Sequence, residues 1–170
     1  MALADTRFSD RRRKLAAELA GQRIDAVLVT HLTHVRYLSG FSGSNGGLLL
    51  RKDLTAQVAT DGRYTTQIAE EVPDITATIG RKTAVELLSQ VSVGHRVGFE
   101  ADFVSVSELK RLEAECPEGV TLVPVSGVIE EIRLKKEELE LTRLTEAAQL
   151  ATQALEELVG CALAALVGVG

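Results

Sequence analysis

Between Arg7 and Val125, short apolar runs alternate with segments of helical periodicity, and this alternation most constrains what the chain can fold into. Arg7 to Ala20 sets Leu15, Ala16 and Leu19 at helical spacing, with Gly21 as a stop. Ile24 to Thr30 is a continuous apolar run, the mark of a buried strand, and His31 to Leu38 reads as a short helix. After a glycine-rich loop come strands at Gly47 to Arg51 and Ala56 to Thr60, joined by a turn at Lys52-Asp53. Asp61 fits a helix N-cap, and the helix from Gly62 to Glu71 ends before Pro73. Ile75 to Ile79 alternates as a half-buried strand does, and Thr83 with Glu86 forms a capping-box pattern for a helix through Val91. A strand at Arg96 to Glu100, a helix at Ser105 to Glu115 and a strand at Val120 to Val125 complete the series. The expectation is an α/β fold with helices on both faces of one mixed central sheet.

Val128 to Arg133 is helical, and from Glu137 onward there is no strand signal. Leu141, Leu144, Ala148, Ala151, Leu155, Leu158 and Ala162 recur at spacings of three and four, an apolar stripe on one long C-terminal helix. The α/β series before it is already complete, and nothing after it supplies a cover. We therefore divide the chain into 1–133 and 134–170, the second part reading as a linker and the first helix of a truncated domain.

Composition narrows the function. The 170 residues are 45% hydrophobic and 25% charged, enough for a packed core. A net charge of −5 argues against nucleic acid as a partner, because phosphate binding rests on clustered Lys and Arg. The run Arg11-Arg12-Arg13-Lys14 is the local exception and reads as a solvated helix face. Cys116 and Cys161 make neither a disulfide framework nor a Cys-x-x-Cys zinc site. The start has no apolar core of signal-peptide length, and LVGCALAALVGVG is shorter than the about 20 residues a span requires. The expectation is a cytoplasmic chain with no membrane partner.

Gly40-Phe41-Ser42-Gly43-Ser44-Asn45-Gly46-Gly47 lacks the Lys of a Walker loop, and its glycines recur evenly at three and lead into a strand, unlike a dinucleotide fingerprint. The local pattern favours a turn whose glycines and Asn45 take positive φ, and leaves open a loop whose backbone a ligand approaches closely. His31 and His34 stand at a metal-ligand spacing, but no third donor is set at helical spacing, so a capping or surface role is the reading preferred. Asp61-Gly62-Arg63-Tyr64 reads as an N-cap, an ion pair within the turn and a packed ring, or as the edge of a pocket at a strand-to-helix junction. No Ser/His/Asp set, reactive Cys or paired carboxylate stands out.

Four stretches together resemble the creatinase/prolidase N-terminal domain, the front half of Xaa-Pro aminopeptidases and prolidases. Val35 to Gly46 (VRYLSGFSGSNG) is similar to that family's "RYLTGFTGSNG", and Thr60 to Gln67 (TDGRYTTQ) to its "TDGRYxxQA". Ile24 to Val29 resembles its first strand, and Glu131 to Glu140 (EIRLKKEELE) the linker into the catalytic half. The resemblance implies a ribonuclease H-like motif in the fold and a metallopeptidase as the intact protein. That protein would remove the residue before proline with two divalent metals, manganese, cobalt or zinc, sharing a hydroxide. The ligands, two Asp, one His and two Glu, would lie downstream of Gly170, so this chain would have no cofactor, metal or catalytic residue of its own. It would serve oligomerisation, pairing with its own catalytic domain and a second subunit, and would shape the neighbour's pocket for proline-containing peptides. By the resemblance, the pocket edge is carried by Phe41, Ser44 and Asn45, with Arg63 and Tyr64 as second candidates. The loop lacks the histidine that prolidases often place there, which tilts the reading toward aminopeptidase P. The alternatives are a peptide- or protein-binding module of the same fold that does no chemistry, and a creatinase-like C–N hydrolase.

Overall fold

The computed structural model describes residues 6–167, with side chains through residue 162. The chain divides into two compact units, one reaching Ile132 and the other beginning at Arg133.

The first unit is built on a six-stranded mixed sheet. Its strands are β1 (Ala26–Val29), β2 (Gly46–Arg51), β3 (Ala56–Thr60), β4 (Thr76–Ile79), β5 (Arg96–Glu100) and β6 (Thr121–Val125), in the spatial order β4-β3-β2-β1-β5-β6. β2 runs antiparallel to β1 and β3, with Val27 opposite Leu50 and Leu48 opposite Val58. The outer pairs β3–β4, β1–β5 and β5–β6 are parallel. Parallel pairs need long crossovers, and the intervening helices supply them.

Because side chains alternate along a strand, each central strand feeds two cores. Val27, Val29, Leu48, Leu50 and Val58 point to one face, where Leu15 and Leu19 of α1 (Arg7–Leu19), Val35 and Leu38 of α2 (Leu32–Ser39) and Ile68 of α3 (Thr65–Glu71) cover them. Ala26, Leu28, Leu49, Ala59 and Val97 point to the other, against Leu87 and Leu88 of α4 (Thr83–Leu88) and Leu112 of α5 (Val106–Glu115). Helices therefore lie on both faces, as the sequence predicts. Each fully buried Leu contributes about 1.5–3 kcal/mol, so this two-sided core dominates the stability of the unit.

Several local readings need correction. β4 is an edge strand whose Thr76, Ala77 and Ile79 are exposed, so its alternation does not mark a half-buried strand. α4 stops at Leu88, and its N-cap is Lys82, whose carbonyl accepts from the Glu86 amide; the Thr83–Glu86 capping box does not form. The basic run is not a solvated face. Arg11 and Arg12 are buried, Arg11 donating to the Tyr37 carbonyl at 3.0 Å and Arg12 to that of Leu38 at 2.9 Å. These carbonyls lie in the last turn of α2, where helical partners run out, and the two guanidinium groups fill the need. Arg12 also pairs with Asp74.

The second unit holds the end of α6 (Val128–Leu134) and α7 (Glu138–Val167), the long C-terminal helix. Leu141, Leu144, Leu155 and Leu158 on its stripe are each more than half exposed.

Candidate functional site

α2 ends at Gly40, whose φ of 88° reverses the chain and opens the glycine loop. Gly40 alone of the loop residues takes positive φ; Asn45, Gly43 and Gly46 do not. What Gly43 and Gly46 supply is space. A Cβ on either would stand 2.9 Å from Cε1 of Phe41, whose ring is buried beneath the loop and meets Tyr64 edge to face at 5.6 Å. Phe41 therefore anchors the loop from below and offers no surface to a peptide, which corrects its place at a pocket edge.

The other four predicted residues come together. Asp61, at the end of β3, accepts from the Arg63 amide at 3.0 Å, from Arg63 Nε at 2.9 Å and from Asn45 Nδ2 at 2.7 Å. The ion pair within the turn and the packed ring are present, and Asp61 is an N-cap, though of a 3-10 turn over Gly62–Tyr64 that leads into α3 and not of one α-helix from Gly62 to Glu71. The Arg63 and Asn45 bonds hold the Asp61 carboxyl well below its usual range. An ionised carboxylate only accepts, so it must face the amide N–H of Asn45 and leaves the Asn45 carbonyl for an incoming donor. Ser44 Oγ and Tyr64 Oη lie 2.6 Å apart, and Thr60 Oγ1 donates to the Asn45 carbonyl of the main chain at 2.6 Å. Arg63 lies over the Tyr64 ring, and its side chain is 68% exposed.

A second cluster, not among the predicted residues, extends this surface. The Glu71 carboxylate accepts from the Ser42 amide at 2.7 Å and hydroxyl at 2.6 Å, and Gln67 donates to both Ser42 and Glu71. Burial pushes the Glu71 carboxyl up, but the Ser42 and Gln67 bonds outweigh it and the net shift is downward. Gln67 and Glu71 stand four apart on α3, a spacing legible in the sequence, but that their partner is Ser42, 25 or more residues earlier, is a matter of the fold.

The polar surface is thus a loop pinned at two points, Asp61 and Glu71, with hydroxyl, amide and guanidinium groups at its rim. These groups are hydrogen-bond donors and acceptors that can bind and orient a polar partner. Among the described residues, a group of three metal-type donors is formed by His31, His34 and Glu100. No helix among the described residues is long and apolar enough to cross a membrane.

The loop and the Asp61 turn both lie inside residues 11–135, which match the family model of the creatinase/prolidase N-terminal domain. The chain belongs to the creatinase/prolidase N-terminal domain family. Among solved structures, the domain is similar to the N-terminal domain of the cytoplasmic peptidase PepQ from Mycobacterium tuberculosis, at 42% identity and a TM-score of 0.69, covering 72% of this chain and 97% of that one. It is also similar to the Xaa-Pro dipeptidase from Bacillus anthracis, at 27% identity and a TM-score of 0.82, covering 90% of this chain and 43% of that one. The peptidase YqhT of Bacillus subtilis is 32% identical over 140 residues, 80% of this chain. The chain spans 39% of the length of that curated relative.

Proposed function

We propose that this creatinase/prolidase N-terminal domain is the accessory half of a proline-specific metallopeptidase of the Xaa-Pro aminopeptidase type, which removes the residue before proline. The domain serves oligomerisation, and its glycine loop shapes the active site of a neighbouring subunit. The observation that carries the reading is the pinned rim of Ser44, Asn45, Arg63 and Tyr64: a hydrogen-bonded, solvent-reachable set of polar groups in a domain of this family. The Asn45 carbonyl suits the ammonium end of a peptide, and the exposed edge of Arg63 suits a carbonyl or carboxylate. The two divalent metals, manganese, cobalt or zinc, belong to the catalytic half. A cytoplasmic location, which PepQ's name gives for that protein, fits the same reading.

The test is hydrolysis of an Xaa-Pro peptide with added manganese by this chain and by a longer protein that contains it. Activity confined to the longer protein is the expected result, with Arg63→Ala raising KM and leaving kcat near its original value. Silence in both with metal loading verified would favour a peptide-binding module, and turnover by this chain alone would overturn the accessory role.

A further inference from the structure

At the opposite end of α2 from the glycine loop, the fold assembles what the sequence does not place side by side. His31 is the N-cap of α2, His34 lies in its first turn, and Glu100 ends β5. One ligand atom from each lies within 4.8 Å of the others. The third donor missing at helical spacing is therefore supplied by a strand nearly 70 residues away, and His34 is buried, not on the surface.

Each donor is held in place by something else. Glu100 Oε2 accepts from the backbone amides of Thr30 at 2.7 Å and His31 at 2.9 Å, which leaves Oε1 pointed at His34 Nδ1, 2.5 Å away. The His31 ring is stacked on Phe103 at 3.8 Å, and His34 meets the same ring edge-on at 5.2 Å. The far nitrogen of His34, Nε2, is buried without a hydrogen bond, 3.9 Å from Oε1 of Glu130. Glu100 and Glu130 line a small pocket with Asp102 and Phe103, so the carboxylate side of the cluster borders open space.

We propose that His31, His34 and Glu100 form a binding site for a borderline divalent cation, zinc above all. Two imidazoles and one carboxylate are a donor set that suits zinc more than magnesium or calcium, which prefer oxygen. The cation takes the place of the proton in the hydrogen bond between His34 Nδ1 and Glu100 Oε1, and the neutral imidazole then carries its proton on Nε2. At bond lengths of about 2.0–2.2 Å its ligand atoms stand roughly 3.3 Å apart, so those two atoms spread slightly while the half-buried His31 ring closes in. Glu130 then accepts from His34 Nε2–H, the outer carboxylate that orients a metal-bound imidazole. The fourth position is left to water. Such an ion ties α2 to β5.

The experiment titrates the chelator-treated chain with cobalt(II) as an optical probe of the site, then competes with zinc. The expected result is one equivalent of cobalt with visible d–d bands, displaced by zinc, and a Tm raised by zinc. His31→Ala, at a half-buried position whose loss leaves the His34–Glu100 pair intact, weakens binding by at least about 100-fold. Glu130→Gln weakens it by about 10-fold, the lower end of what outer-shell carboxylates contribute. His95→Ala, which removes the remaining histidine of the chain, changes nothing. Absence of d–d bands in the wild type, or cobalt binding unchanged in His31→Ala, would overturn the site and leave His34–Glu100 as a buried hydrogen bond.

Discussion

Replacing Phe41 by Ala separates an anchor from a pocket wall. The ring is 1% exposed and fills the space under Gly43 and Gly46. A buried aromatic side chain removes about 150–250 Å² from water, worth roughly 4–6 kcal/mol at about 25 cal/mol per Å². That figure is an upper bound, because the unfolded chain already buries part of this area and alanine keeps its Cβ. The expected loss is about 3–5 kcal/mol, the range for Phe→Ala in packed cores. At about 2–4 °C per kcal/mol, Tm falls by roughly 6–20 °C. The chain has two tyrosines, Tyr37 and Tyr64, and no tryptophan, so tyrosine fluorescence during urea or thermal unfolding reports the α/β unit and is silent on α7. Phe41→Leu, which keeps much of the volume, costs less. A Phe41→Ala chain that unfolds within about 1 kcal/mol of wild type would refute the anchoring argument, since no buried ring of this size is lost so cheaply.

Gly43→Ala forces its new methyl into the Phe41 ring and destabilises by about 1–3 kcal/mol in urea unfolding, with a smaller loss in a Phe41→Leu background where the obstruction is gone. Arg12→Met removes a buried cation from the Leu38 carbonyl and from Asp74, which is 39% exposed and rehydrates; a loss of about 2–3 kcal/mol by thermal melting is expected. Asp61 and Glu71 have folded pKa values below their ordinary 3.8 and 4.5, so their contribution is complete above those values and declines as pH falls below them. An acid titration of unfolding free energy should show this decline below about pH 4, and Asp61→Asn should flatten it.

Much of the fold was legible because the two periodicities are local properties. The run Ala26–Val29 is apolar throughout because both sheet faces are covered, and α1, α2 and α7 announce themselves at a period of 3.6. The polar rim was legible in part. Asp61 and Arg63 stand two apart in sequence, so their pairing is a local matter, and Ser44 and Asn45 lie in a loop whose glycines marked it.

The residues misread are those whose partners are distant. Arg11 and Arg12 look like solvated charge until α2 presents its last carbonyls 26 residues away, and Phe41 looks like a loop aromatic until Tyr64 closes over it. His34 and Glu100 are 66 apart, and no helical or strand period connects them. Sequence alone determined the alternation of elements and the apolar stripe of α7, because hydrophobic spacing is written residue by residue. Which polar groups are buried, and which of them meet, was decided only when the parallel crossover set β5 beside β1 and placed Glu100 against the start of α2, since a buried charge is stable only where a partner reaches it.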